Sequence, residues 1–310
     1  MKKRKSFFVM LFVSIMLACL LPIAVSAARE NDGLTLGKNG RYCYYENGKK
    51  VKKAWRTVNG KKYYFQSTGW STPYSLYIDG KVYVFNSKSQ LHRPSKRSIF
   101  KSKGYYYCVN PDGTADTGWL IYNNRLYKAY SKSGRFAVNK TENGIRFGKN
   151  GAAVNNTPAK LKMKTMKIVS QITNKGMSKS QKLRACWNYI VHGGRFSYYL
   201  TEPNIWKKGW QQEIALSMLT KNRGDCNGFA CGFAALAAEV GYTPYVISGR
   251  VPGNRDGAAD GLTRHCWVKI NGKHYDPEGT WAGWAGYVYG ASGYPMYHTI
   301  TQTINFKTYV

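Results

Sequence analysis

Acidic residues are scarce: the 310-residue chain has 15 Asp and Glu against 47 Lys and Arg, a formal net charge of +32. That scarcity argues against an acidic calcium cage. The loop Asn254–Gly261 does hold Asp256 and Asp260, but its spacing is wrong for an EF-hand and the closing Glu is missing. No metal and no cofactor are expected. Long apolar runs are missing beyond the N-terminus, so no span of the mature chain is expected to cross a membrane. Cysteine is sparse as well, with seven in the chain. A chain this long builds its core without a disulfide framework, and only a Cys43–Cys108 bridge is left open.

The N-terminus carries an address. Lys2-Lys3-Arg4-Lys5 precedes an apolar run ending at Val25, and Val25-Ser26-Ala27 has the small-x-small pattern of a cleavage site. Residues 1–27 therefore read as a signal peptide, and the protein as secreted. The run is also long enough for an uncleaved anchor. Cleavage removes four basic residues and leaves 43 Lys and Arg against 15 Asp and Glu, or +28. Residues 28–157 hold 24 basic and 7 acidic residues, the rest of the mature chain 19 and 8. Such a field holds a protein on a polyanionic surface. For an exported chain, a cell wall with anionic polymers fits that surface better than nucleic acid.

Residues 38–155 repeat. Turn pairs recur about every 20 residues at Asn39-Gly40, Asn59-Gly60, Asp79-Gly80, Lys103-Gly104, Asn123-Asn124 and Asn143-Gly144. Aromatics follow most of them, as in Tyr63-Tyr64-Phe65 and Tyr105-Tyr106-Tyr107. Each unit reads as a short hairpin that cannot bury its aromatic face alone, so stacked units should form an all-β hairpin-repeat solenoid. The pattern resembles the cell-wall-binding repeats of choline-binding and glucan-binding proteins. Their usual Gly-Trp opening survives here at Gly69-Trp70 and Gly118-Trp119, with Ala54-Trp55 a partial match. That points to tyrosine-rich surfaces for wall polysaccharide or an anionic wall polymer rather than to Trp-lined choline cages.

After Asn155-Asn156-Thr157-Pro158, which reads as a linker, helical periodicity takes over. Helices are expected over 159–172, over 178–191 with Ser178 as cap, and over 213–220. Then comes Arg223-Gly224-Asp225-Cys226-Asn227-Gly228, leading into the small, apolar run 231–240. Gly224 and Asp225 suit a turn and a cap, so Cys226 falls at or near a helix N-terminus, where unpaired amides favour a thiolate. Downstream, Arg264–Ile270 alternates like a strand, Asn271-Gly272 makes a hairpin turn, and Lys273–Asp276 returns. His265 and Asp276 then fall on neighbouring strands. A cysteine, a histidine and an aspartate in this arrangement are a nucleophile, its base and the group that orients the base. His274 and His192 are minor rivals for the base. Cys266, beside His265, should point to the opposite face and pack.

Gly-Asp-Cys-x-Gly, then His-x-Trp, then Tyr-Asp-Pro resembles the transglutaminase-like superfamily of papain-like cysteine enzymes, over roughly residues 165–310. The resemblance implies an α+β papain-like domain at 160–310, with nucleophile Cys226, base His265 and acid Asp276, and with Tyr198-Tyr199 near a family tyrosine position. It implies attack on an amide or peptide bond of a peptide or protein substrate through a thioester. Hydrolysis is favoured over cross-linking. Asp225-Cys226-Asn227-Gly228 also approaches the Asp-Cys-Ser-Gly pattern of a wall-hydrolase family, whose third residue lies elsewhere. A different class of reading is a wall-binding or adhesion protein with an inactive enzyme domain.

Overall fold

The structure, a computed structural model, describes residues 32–306. The signal-peptide reading of residues 1–27 lies outside the described residues. The described chain divides into two compact units. One runs up to Thr72 and includes Lys88–Gln90; the other comprises Pro73–Ser87 and the chain from Leu91 onward.

The first unit pairs Gly33–Leu36, Tyr42–Glu46 and Lys49–Lys50 in an antiparallel sheet and adds the hairpin Ala54–Val58/Lys61–Phe65. Val51, Tyr63 and Phe65 form its core. The hairpin turns on Asn59 and Gly60 at φ 48° and 71°. Two left-handed residues in succession match the right-handed twist of the strands.

The second unit begins with four hairpins: Ser75–Ile78/Lys81–Val84, Ser98–Ser102/Tyr105–Val109, Gly118–Tyr122/Arg125–Ala129 and Thr141–Glu142/Ile145–Arg146. Their turns fall on the pairs read from sequence, and even Lys103 takes φ 49°. The segment that trails each of the last three ties it to the one before. Asp116 N–H donates to Cys108 O at 2.9 Å while Ala115 N–H donates to Val82 O at 2.8 Å. Ala137 and Phe136 repeat this with Lys128 and Tyr106, and Val154 and Ala153 with Arg146 and Leu126. A lone two-stranded hairpin is marginal in water; here the two middle ones are fastened on two sides, and Phe85, Tyr107 and Phe147 are buried. The region is hairpin-rich, as expected. Cys43 and Cys108 are buried free thiols, and burial pushes the Cys108 thiol up to about 12.

The rest of the unit is α+β. Its helices are α1 (Thr157–Ile172), α2 (Lys179–Val191), α3 (Trp210–Lys221), α4 (Cys226–Glu239) and α5 (Pro277–Ala282). Its sheet strands are β1 (Tyr245–Pro252), β2 (Leu262–Ile270), β3 (Lys273–Tyr275), β4 (Tyr289–Ala291) and β5 (Thr299–Asn305), antiparallel in the order β4-β3-β2-β1-β5. Ser178 caps α2 in a capping box with Gln181. Helix α4 is the axis of the core, buried along almost its whole length. Its glycines let α3 come close: a Cβ on Gly228 or Gly232 would stand 3.3 Å from Met218. Strands β2 and β3 turn on Asn271 and Gly272, both at positive φ. Cys266 joins the helical core and Trp267 a separate cluster with Ile247, Val251 and Tyr294. No helix among the described residues is long and apolar enough to cross a membrane.

Candidate active site

Helix α4 begins at Cys226 itself, with Asp225 as its N-cap. Asp225 Oδ1 accepts from the amides of Asn227 (3.0 Å) and Gly228 (3.3 Å). Thr201 donates to the same carboxylate through its amide and its hydroxyl, both at 2.7 Å. The short parallel pairing of Ser197–Tyr198 with Arg223–Gly224 brings Thr201 there. The cap consumes the second and third helical amides and leaves that of Cys226, which has no acceptor within the helix. The thiol is buried.

His265 lies on β2, opposite Gly249 of β1. Its Nε2 is 2.8 Å from Asp276 Oδ2. Asp276 is not a strand residue: it caps α5, just past β3, and is fully buried. Tyr294 O–H donates to Oδ2 at 2.6 Å and Gly279 N–H to Oδ1 at 2.8 Å. Burial alone would raise this carboxyl, but His265, Tyr294 and Gly279 together hold it below the usual carboxylate range. An ionised acceptor on Nε2 places the neutral ring's proton there and leaves Nδ1 as the basic nitrogen.

Nδ1 lies 3.6 Å from Glu278 Oε2. One ligand-type atom from each of Cys226, His265 and Glu278 falls within 4.8 Å of the others. The structure thus brings together all three residues singled out from sequence and adds a fourth. Burial raises the Glu278 carboxyl to about 7, with Asp276 and Asp225 adding to the rise and His265 and Arg255 opposing it. Burial likewise pushes the Cys226 thiol well up, helped by Glu278 and Asp225, while Arg255 pulls it down. That is opposite to the direction expected from a helix N-terminus alone.

The loop before β2 is held by ion pairs. Arg250 meets Asp260, and Asp256 is shared by Arg255 at 3.3 Å and Arg264 at 3.0 Å. The two carboxylates considered for calcium are thus taken by arginines, and the Arg255 guanidinium also interacts with the Cys226 thiol. His274 accepts from the Trp267 indole at 3.1 Å and lies outside the cluster; His192 is exposed at the end of α2. A cavity of about 140 Å³ opens onto Cys226 and His265, lined also by Thr201, Ser248 and Arg255. The ring centres of Trp284 and His265 lie 5.0 Å apart in a T-shaped arrangement.

Residues 166–283 match the family model of the transglutaminase-like superfamily. The chain carries a transglutaminase-like domain. No curated protein sequence matches it. Among solved structures, CbpF in complex with ipratropium is 28% identical over 40% of this chain and 39% of its own, with a TM-score of 0.28. Choline-binding protein F from Streptococcus pneumoniae, in the presence of a peptidoglycan analogue, is 29% identical over 40% and 47%, TM-score 0.19. CbpJ from Streptococcus pneumoniae TIGR4 is 23% identical over 40% and 48%, TM-score 0.23. The chain spans less than half the length of each of these structures.

Glu278 makes the transglutaminase-like domain sensitive to pH. Its folded-state value near 7 lies above the unfolded value of 4.5, so the folded state holds the proton longer. Stability should fall as pH rises from about 4.5 to about 7. Glu278→Gln is expected to be close to wild type at pH 4 and about 2–3 kcal/mol more stable at pH 8. Urea titrations of both proteins at the two pH values, with chelator present, check this.

Proposed function

We propose that the chain is an exported, wall-bound cysteine enzyme that cleaves amide or peptide bonds. The carrying observation is His265 held between Asp276 and the Cys226–Glu278 pair. Burial and the nearby carboxylates oppose a standing thiolate, so the thiol proton leaves as the attack begins. His265 Nδ1 takes the thiol proton as Sγ attacks the carbonyl, and Asp276 stabilises the imidazolium. The Cys226 amide donates to the oxyanion. The imidazolium returns the proton to the leaving amine, the C–N bond breaks, and an acyl thioester remains. Water, deprotonated by His265, releases the acid. The fold around these residues reads as papain-like, with residues 160–310 as the catalytic domain, and hydrolysis is favoured over transfer to an amine. The test is to incubate the full chain with purified wall peptides and glutamine peptides, following released amine and acyl adducts on the Cys226 peptide by mass spectrometry. Amine release with an adduct supports the reading. Neither signal from any substrate would leave an inactive domain on a wall-binding protein.

Residues 38–155 read as a solenoid for an anionic wall polymer. The three tryptophans of the surviving repeat openings support this. Lys50 Nζ sits 3.3 Å from the Trp70 ring centre, Lys62 Nζ 4.6 Å from Trp55, and Lys128 Nζ 5.1 Å from Trp119. These are faces on which a quaternary ammonium would stack, and the chain's own cations hold them. Ammonium heads braced on rings present charge to phosphate or carboxylate instead. Bound to purified walls, the protein is expected to elute with salt and to resist choline. Elution by choline at low salt would refute the polyanion reading.

A further inference from the structure

We propose that Cys226, His265 and Glu278 form a site for a zinc-class divalent cation that holds the enzyme inactive. The inhibitory consequence rests on the reading of Cys226 and His265 as nucleophile and base; the binding site itself does not. Thiolate, imidazole and carboxylate together are a zinc donor set, and three protein ligands with one open position make a tetrahedral site. Such ligands stand about 3.3–3.6 Å apart around a bound zinc. His265 Nδ1 and Glu278 Oε2 are already 3.6 Å apart, and the full triplet closes within 4.8 Å. A small movement of the Cys226 side chain completes the set.

The surroundings suit a metal as well. His265 already gives its other nitrogen to Asp276 at 2.8 Å, the carboxylate–histidine arrangement that orients a metal-bound imidazole and raises its basicity. Asp276 is in turn fixed by Tyr294 and Gly279. All three ligand side chains are buried, so a dication would offset the cost of holding a thiolate and a carboxylate together away from water. The cavity that reaches Cys226 and His265 provides an entry path and leaves a fourth position open. Zinc binding releases the thiol proton to solvent and occupies the sulfur lone pair needed for attack, with Nδ1 on the metal rather than free to act as base. Arg255 is the local opponent, since its guanidinium interacts with the same sulfur.

The test uses the full chain stripped with chelator and measures binding directly, apart from turnover. Zinc affinity is read by competition with a chromophoric chelator, and Co²⁺ is added separately to look for a thiolate-to-cobalt charge-transfer band. One zinc per chain is expected, with the cobalt band present in wild type. Affinity should fall by at least ~10-fold in Glu278→Gln and ~100-fold in Cys226→Ala, with Cys226→Ser as the second variant should the alanine chain fail to fold. Zinc should also protect Cys226 from slow alkylation. Wild type without stoichiometric zinc, or variants that bind as wild type does, would overturn the site. A chain that shows the cobalt band but no acyl transfer keeps the site and loses the enzyme. Acyl transfer that persists at saturating zinc keeps the enzyme and loses the inhibition.

Discussion

Cys226→Ala is expected to abolish acyl transfer, and Asp276→Asn to lower kcat by about 10⁴-fold with the fold intact. The two losses have different causes. Without Sγ no thioester forms. With Asn at 276 the nucleophile remains, but the Gly279 N–H that now donates to Oδ1 keeps the amide oxygen on its side and turns the NH2 group, a donor, toward His265 Nε2. The imidazole then carries its proton on Nδ1, where the base should be. Asp276 Oδ2 also accepts from Tyr294, so Tyr294→Phe should reproduce part of the defect, at about tenfold, by removing one of the bonds that hold the carboxylate. The measurement is kcat with chelator present on the substrate found from wall or glutamine peptides, alongside near-ultraviolet circular dichroism. An Asp276→Ala enzyme within tenfold of wild type would mean that the third residue lies elsewhere, as in the Asp-Cys-Ser-Gly wall hydrolases.

Much of this geometry was legible in the chain because it is set by local rules. Asp225 before Cys226 is a cap, Ser178 with Gln181 is a capping box, and Asn271-Gly272 is a hairpin turn; each depends on residues within four positions. The hairpin turns at 59–60, 79–80 and 123–124 are legible for the same reason, since Asn, Asp and Gly tolerate left-handed backbone. What joins one hairpin to the next was not. Ala115 reaches Val82 and Phe136 reaches Tyr106 through backbone bonds, which leave no trace in side-chain pattern.

The site was legible to the depth of its short patterns and no further. Glu278 lies in a six-residue helix, too short for periodicity to mark it. Its value near 7 comes from burial that only the packed domain creates. Tyr294 lies 18 residues from its partner Asp276, in a Gly- and aromatic-rich stretch without clear periodicity. Thr201 and Arg255 come from loops brought to the nucleophile by tertiary pairing. The direction of the thiol's shift is hidden from sequence for a related reason. A helix N-terminus favours a thiolate, but the preference is small beside the cost of burying one among Glu278 and Asp225.

Glu239→Ala is expected to destabilise the transglutaminase-like domain by about 3–5 kcal/mol, whereas Lys162→Met should change it by less than about 1.5 kcal/mol. Glu239 ends the helix that Cys226 begins. A carboxylate at a helix C-terminus faces the negative end of the macrodipole, and this side chain is only 13% exposed. It is tolerated because α1 supplies its partners: Lys162 Nζ at 3.0 Å and the Thr165 hydroxyl at 2.8 Å. The Lys162 side chain is only 6% exposed, and burial holds its ammonium below the usual lysine range. Removing Glu239 therefore leaves a cation with no counter-charge, while replacing Lys162 by a methylene chain of similar length leaves a carboxyl that can bind a proton and keep Thr165. Urea denaturation of the two variants against wild type reads the asymmetry, and the double variant Lys162→Met/Glu239→Leu should recover most of the loss. Equal costs for the two single changes would show that the pair acts through packing alone. The consequence reaches the chemistry, because α4 is pinned at its first turn by Asp225 and Thr201 and at its last by Lys162. Where unfolding of Glu239→Ala is still incomplete, its kcat should fall along with its stability, since the sulfur, the Cys226 amide and His265 keep their spacing only while both ends of that helix are held.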